Sequence, residues 1–144
     1  MKLLVFGKDS QVGQALCNRL RLESIAFESL KAGDTLIADT DSLQCLLREW
    51  QIDFVINVDH FDGFLPSGRN QSELEQRHVI NPQYLARVCE KCEIPLIHLS
   101  DHQVFSGQED MPYREDAEAD AMTAYGVTRW QGELSVQRFC SRYL

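Results

Sequence analysis

The sequence predicts an α/β protein, a Rossmann-like doubly wound parallel sheet of about five strands with helices on both faces. Three observations carry this. Short apolar runs alternate with helical patterns along the whole chain. The first run, Lys2–Phe6, leads directly into Gly7-Lys-Asp-Ser-Gln-Val-Gly13, a glycine-bearing turn that opens a helix. No linker, repeat or low-complexity stretch breaks the alternation, so residues 1–144 read as a single domain large enough for a real core.

Each element follows from its own pattern. Lys2–Phe6 is a short apolar strand, and Gln11 to about Leu22 has helical spacing, with Val12, Ala15, Leu16 and Leu20 on one face. Ile25–Leu30 and Thr35–Ala38 are short strand candidates. Asp41–Trp50 reads as a helix with an acidic start, which suits the positive end of a helix dipole. Asp53–Val58 is a buried strand, followed by a loop bearing Gly, Pro and Ser to about Asn70. A helix spans roughly Ser72 to Cys92. Pro82 has no amide to donate, so Asn81-Pro82 is expected to bend or restart it. Ile94–Ser100 is a further apolar strand and Thr123–Tyr143 the last helix; His78 reads as a helix-surface residue and His98 as a strand residue. Strands separated by helices imply right-handed βαβ units on a parallel sheet.

Composition excludes several classes. A formal net charge of −8 speaks against a nucleic-acid partner, because phosphate binding relies on clustered Lys and Arg. The opening Met1–Phe6 run is too short for a signal peptide, and no apolar run approaches the roughly 18–20 residues of a membrane span. A cytoplasmic location is the default expectation. Five cysteines, an odd number without an export signal, are expected to be reduced thiols. Cys89-Glu-Lys-Cys92 lacks the second pair that a zinc site would need, and reads as helix packing.

In a doubly wound sheet, ligands bind at the carboxyl ends of the strands. The first such end holds Gly7–Gly13. Ser10 occupies the middle position of a Gly-x-x-Gly-x-x-Gly fingerprint, where a Cβ narrows the approach to a pyrophosphate, and Asp9 adds a carboxylate. The stretch reads either as a cofactor cradle or as a tight turn that keeps the fold. The end of the strand reads Val55-Ile-Asn-Val-Asp-His60, and Asp59 there adds a charge beside the same crevice. Tyr125 and Arg129, at i and i+4, emerge on one helix face.

The last third carries the strongest pattern: His98-Leu-Ser-Asp-His-Gln-Val-Phe-Ser-Gly107, then Pro112-Tyr-Arg-Glu-Asp116, then Tyr125-Gly-Val-Thr-Arg129. This resembles the dTDP-4-dehydrorhamnose reductase family of extended short-chain dehydrogenases. In that family a strand ends in Ser-Thr-Asp-Tyr-Val-Phe-x-Gly, a Pro-Tyr-x-Glu-Asp loop follows, and a helix opens with Tyr-Gly-x-x-Lys. The resemblance implies a Rossmann fold, NADP or NAD as cofactor, and a nucleotide or nucleotide-sugar ligand. It places the catalytic positions at Tyr125, Arg129, Asp101 and Ser100. It places the cofactor positions at Gly7, Ser10, Gln11, Val12, Gly13, Asp39 and Asn57, with Asn81 at the family's helix asparagine. In the family's chemistry the Tyr gives a proton to the carbonyl oxygen as hydride arrives. The Lys holds the ribose hydroxyls and lowers the Tyr pKa, and the Thr hydrogen-bonds the reacting oxygen.

Here Asp101 stands at the Thr position and Arg129 at the Lys position, while Val58 and Asp59 stand where the family has two alanines. An ionised carboxylate cannot donate the hydroxyl's hydrogen bond and repels a developing alkoxide. Arg129 keeps the charge but is larger and aims its donors differently. Asp101 and Arg129 are expected to form an ion pair inside a vestigial cleft. No metal is expected, although Asp59, His60, Asp101 and His102, beside Ser100 and Tyr125, offer two carboxylates and two imidazoles.

The resemblance covers the chain to about Tyr143, and the family's C-terminal substrate-binding segment is expected to be absent. A sheet ending there would leave a parallel edge strand to be paired, so a homodimer or a protein partner is expected. Two functions follow from the resemblance: a pseudoenzyme that binds or regulates, or an NAD(P)H-dependent sugar-nucleotide reductase using Tyr125 and Arg129.

Overall fold

A computed structural model describes residues 1–31, 39–59 and 71–144. The elements run β1 (Lys2–Phe6), α1 (Gln11–Leu22), β2 (Ala26–Leu30), α2 (Thr40–Glu49), β3 (Phe54–Asn57), α3 (Gln71–Glu75), α4 (Asn81–Cys92), β4 (Leu96–His98) and α5 (Ala124–Phe139). A π-helical turn, Gln76–Ile80, joins α3 to α4, and a 3₁₀ turn, His102–Val104, follows β4. Four described strands form a parallel sheet in the order β2-β1-β3-β4. Leu3 lies opposite Phe27 on one side and Phe54 on the other, and Val55 lies opposite Leu96. The order reverses between β1 and β3, so the crevice where ligands bind in such sheets opens at the ends of those two strands.

Strand alternation sorts the core into two layers. Leu4 and Phe6 point to the face covered by α2, α4 and α5, where they meet Leu43, Leu47, Leu85, Leu96 and Val136. Leu3 and Val5 point the other way and pack with Cys17, Leu20 and Val58. All five cysteines are free thiols; Cys89 and Cys140 lie in the first layer and Cys92 packs against it.

Three expectations need correction. The inward stripe of α1 is Gly13, Cys17 and Leu20, not the face through Val12, which is 39% exposed. A helix start is better phased by the residue that must approach a strand, here Gly13, than by apolar count. The last helix ends at Phe139, and Arg142–Leu144 run alongside β4 instead. Leu96 N–H donates to Arg142 O (2.9 Å), His98 N–H to Leu144 O (2.8 Å), and Leu144 N–H to Leu96 O (3.0 Å). Among the described residues the sheet has four strands, and Tyr143 is bridged in parallel to Leu96 beside the last of them. His78 is buried at 1% exposure rather than on the helix surface. The expected strand Thr35–Ala38 lies outside the described residues.

Pro82 does interrupt the long helix as expected. Its missing amide breaks the i→i−4 ladder, and the chain passes through the π turn before α4 begins at Asn81. The turn swings Arg77 and His78 toward the crevice.

Candidate functional site

The floor of the crevice is built by close backbone approach. Gly7 has φ +91°, and a Cβ there would lie 2.5 Å from Asp59 N. A Cβ on Gly13 would lie 2.1 Å from Gly7 O, so only glycine lets α1 seat against the end of β1. Ser10 caps α1: its Oγ accepts from Gly13 N–H (2.9 Å) and shares its own proton between Gly7 O and Val58 O, each at 2.9 Å. Its side chain thus ties the helix start to the end of β3, and the residue is 4% exposed. Gln11 and Val12 follow on the exposed side of the first helical turn.

At the end of β3, Asn57 is consumed by the fold. Its Oδ1 accepts from Asp59 N–H (3.1 Å), and its Nδ2 donates to His98 Nδ1 (2.9 Å). Burial, and then the charge of Arg129, lower the His98 pKa to about 3, so the ring is neutral and free to accept that bond. Asp59 is 3% exposed and paired with Arg77, which donates from Nε to Oδ2 (3.3 Å) and from Nη2 to Oδ1. Burial pushes the Asp59 carboxyl above its ordinary range, against the opposing pull of Arg77.

At the end of β4, Tyr125, Arg129 and Asp101 come together. Thr123 caps α5 by accepting from Gly126 N–H (3.0 Å). A Cβ on Gly126 would lie 2.1 Å from Gln103 O, so the helix start is pressed onto the 3₁₀ turn that carries Asp101. Tyr125 Oη donates to Asp101 Oδ2 at 2.7 Å. Arg129 is 1% exposed; it donates from Nη1 to Asp59 O (3.1 Å) and from Nη2 to Leu99 O. Its Nε lies 3.6 Å from Asp101 Oδ2, so the expected ion pair is present. Asp101 also caps the 3₁₀ turn, accepting from Gln103 N–H (2.8 Å). Burial and the bond to Asp101 push the Tyr125 phenol well above its usual pKa, and Arg129 only partly opposes this. Ser100 donates to Glu133 on α5, away from Tyr125.

Behind Tyr125 sits His78, edge-on to its ring with centroids 4.9 Å apart at 82°. Thr128 Oγ1 donates to Tyr125 O (2.8 Å), which leaves it to accept from His78 Nδ1 at 2.9 Å. Asp39 caps α2, accepting from Asp41 N–H (3.1 Å) and Ser42 Oγ, and these bonds hold its exposed carboxyl below the usual range. Asn81 accepts from Gln76 Nε2 (3.0 Å). Of the four residues considered for a metal, Asp59 and Asp101 are each engaged by an arginine, His102 is exposed, and His60 lies outside the described residues. Among the described residues no group of three or more His, Cys, Asp or Glu is placed to hold a metal ion.

Sequence reasoning missed Arg77, His78 and Glu133. One signal for Arg77 was available, since an acid as deep as Asp59 requires a cation nearby.

Residues 1–144 match the family described as the RmlD substrate binding domain. The chain belongs to this family. Its relatives include the dTDP-4-dehydrorhamnose reductase of Escherichia coli, 28% identical over 152 residues that cover 100% of this chain and 49% of that protein. The spore coat polysaccharide biosynthesis protein SpsK of Bacillus subtilis is 30% identical over 135 residues, 92% of this chain and 47% of that protein. Among solved structures, a dTDP-4-dehydrorhamnose reductase from Clostridium acetobutylicum superposes with a TM-score of 0.86 at 22% identity, over 99% of this chain and 51% of that one. A Bacillus anthracis dTDP-4-dehydrorhamnose reductase in complex with NADP gives 0.85 at 18% identity, over 99% of this chain and 51% of that one. The chain thus has the family's fold and spans about half the length of the relatives it matches.

The family implies a nicotinamide dinucleotide, and the crevice fits one poorly. The Gly13 amide, which a helix N-terminus would offer a pyrophosphate, is already taken by the Ser10 hydroxyl. Two carboxylates, Asp59 and Asp101, stand at the strand ends the dinucleotide would cross, and both arginines there are turned onto protein acceptors.

Proposed function

We propose that this chain is a dTDP-4-dehydrorhamnose reductase-like domain that has lost reduction and serves as a binding or regulatory protein. The arrangement of Arg129 carries this reading. With its two Nη groups on the carbonyls of Asp59 and Leu99 and its Nε against Asp101, it has become a staple between two strand ends. A guanidinium held in this way directs its bonded donors at backbone carbonyls, where the family's Lys would hold ribose hydroxyls. Tyr125 is then left with a carboxylate as its hydrogen-bond acceptor and a raised pKa, which moves it away from the range where a general acid works near neutral pH. The ligand class that suits the fold is a small nucleotide or nucleotide-sugar; one structural neighbour, MoeE5, is described in complex with UDP-glucose and NAD. A homodimer or another protein chain is the proposed partner, and the cytoplasm the proposed location.

Calorimetric titration with NADPH and NADH tests this. The expected result is no heat of binding at micromolar cofactor. Micromolar binding, followed by consumption of NADPH with dTDP-4-dehydrorhamnose, would sink the proposal and favour a second reading, a working NAD(P)H-dependent reductase. That second reading draws on the retained Tyr125 and on the NADP complex of a structural neighbour. It requires the Tyr125–Asp101 bond to open during turnover.

A further inference from the structure

The loop from Phe105 to Thr123 contains no helix or strand, yet it is held in one shape. The Asp120 carboxylate accepts from Ser106 N–H (2.7 Å) and Ser106 Oγ (2.5 Å), and Asp120 N–H donates to Val104 O (3.1 Å). Gly107 N–H donates to Tyr113 Oη (2.8 Å), and the Phe105 and Tyr113 rings stack with centroids 4.4 Å apart. Long surface loops that are packed by their own side chains are frequently functional. The tie-down is local and uses none of the Tyr125 cleft residues.

Its surface is unusual in two independent respects. Six of its residues are acidic, Glu109, Asp110, Glu115, Asp116, Glu118 and Asp120, against the single cation Arg114. That concentrates a charge of −5, out of −8 for the chain, on this one loop. The same loop exposes two methionines, Met111 at 75% and Met122 at 68%. A cavity of about 450 Å³ opens here, lined by Met111, Pro112, Tyr113 and Ala117 and by four carboxylates, Glu109, Asp116, Glu118 and Asp120, with Arg114 the one cation among them and paired with Asp116. Exposed methionines adapt their unbranched side chains to varied apolar partners. A rim of one charge sign steers partners of the opposite sign and rejects those of its own.

We infer that the Phe105–Thr123 loop is a docking surface for a basic protein segment that carries apolar anchors. The cavity takes an anchor side chain against Met111 and Tyr113, while Lys or Arg residues beside the anchor meet Glu109 and Glu118. The same carboxylates would repel a nucleotide phosphate, so the surface selects a peptide over a nucleotide. This rests on the binding role proposed above and gives it the chemistry of a partner.

Fluorescence anisotropy with two labelled synthetic peptides tests it, one amphipathic and built of Lys and Leu, the other its Glu and Leu counterpart. The Lys–Leu peptide should bind and weaken as salt rises, while the Glu–Leu peptide should not bind. Met111→Ser with Met122→Ser, and separately Glu109→Gln with Glu118→Gln, should each weaken binding by about tenfold, equivalent to ~1.4 kcal/mol. The control pair Glu23→Gln with Glu49→Gln removes the same charge far from the loop and should leave affinity unchanged. All these side chains are exposed, so circular dichroism should show every variant folded. No binding of the Lys–Leu peptide, equal binding of both peptides, or equal loss in the control pair overturns the inference. NADPH consumption measured on the same samples separates the two proposals. Turnover refutes the binding role alone, whereas failed docking without turnover refutes the surface alone.

Discussion

Replacing Arg77 by Ala isolates the role of the Asp59 pair. Asp59 is 3% exposed, and its carboxylate receives two bonds from Arg77, whose side chain is 21% exposed. Removing the cation leaves a buried carboxylate unpaired, a change that costs about 3–5 kcal/mol in general. The partial exposure of Arg77 lets water replace it in part, so about 3 kcal/mol is expected here. For a domain of this size each kcal/mol lowers Tm by about 3 °C, giving a fall of about 9 °C. The pH dependence has a definite sign. The folded Asp59 pKa already lies above its unfolded value, so the stability it contributes is complete below the ordinary Asp value of about 3.9 and lost as pH rises through the folded value. Arg77 opposes that rise. Without it the folded value climbs further, and the deficit of Arg77→Ala should be largest at neutral pH and shrink on acidification toward about pH 4. Combining it with Asp59→Ala, the residue found in the family at this place, should restore most of the loss. Thermal and urea unfolding across pH would check all three. A deficit under ~0.5 kcal/mol, a pH-independent deficit, or a double variant no better than the single one would refute the reasoning.

Other consequences are directly measurable. Ser10→Gly keeps a permissible cap but removes the hydroxyl's bonds to Gly7 O and Val58 O. It should cost about 1 kcal/mol in chemical denaturation while raising NADPH affinity in calorimetry. Unchanged affinity would argue that Ser10 is not what obstructs the cradle. Gly132→Ala places a Cβ 2.1 Å from His78 O on the π turn and should destabilise by about 2–3 kcal/mol. An unaltered Tm would show that α5 is not seated there. The His98 ring, with its pKa lowered to about 3, should show no protonation shift by NMR between about pH 8 and 5. Because its folded pKa lies below the unfolded 6.5, its effect on stability appears as pH falls beneath 6.5 and grows down to about 3. A midpoint near 6.5 would contradict the buried Asn57–His98 contact.

Much of the fold was legible because its signals are local. The apolar run of β1, the glycines that let α1 approach, and Pro82 each act through the backbone within a few residues. The end of α5 was not, because Arg142–Leu144 leave the helix to pair with β4, a contact about 45 residues back along the chain that helical periodicity cannot register. Within the site, the Tyr125, Asp101 and Arg129 constellation was visible from motif spacing, including the ion pair. The uses to which Asn57, Asp39 and Ser10 are put could not be read from their positions alone. Asn57 holds His98, Asp39 caps α2, and Ser10 caps α1, and each depends on the partner that folding brings within reach. Arg77 escaped notice for the same reason, as its acid lies across the crevice on another element.

The state of the Tyr125 phenol tests the loss of reductase chemistry most directly. The chain has four tyrosines, so the tyrosinate absorbance of wild type minus Tyr125→Phe, followed against pH, isolates this one. With its proton donated to Asp101 and its pKa raised above 10.0, Tyr125 should contribute no tyrosinate until pH exceeds that ordinary value. A tyrosinate component that titrates near neutral pH would mean that Arg129 still primes Tyr125 for proton transfer, and would contradict the proposed loss of catalysis.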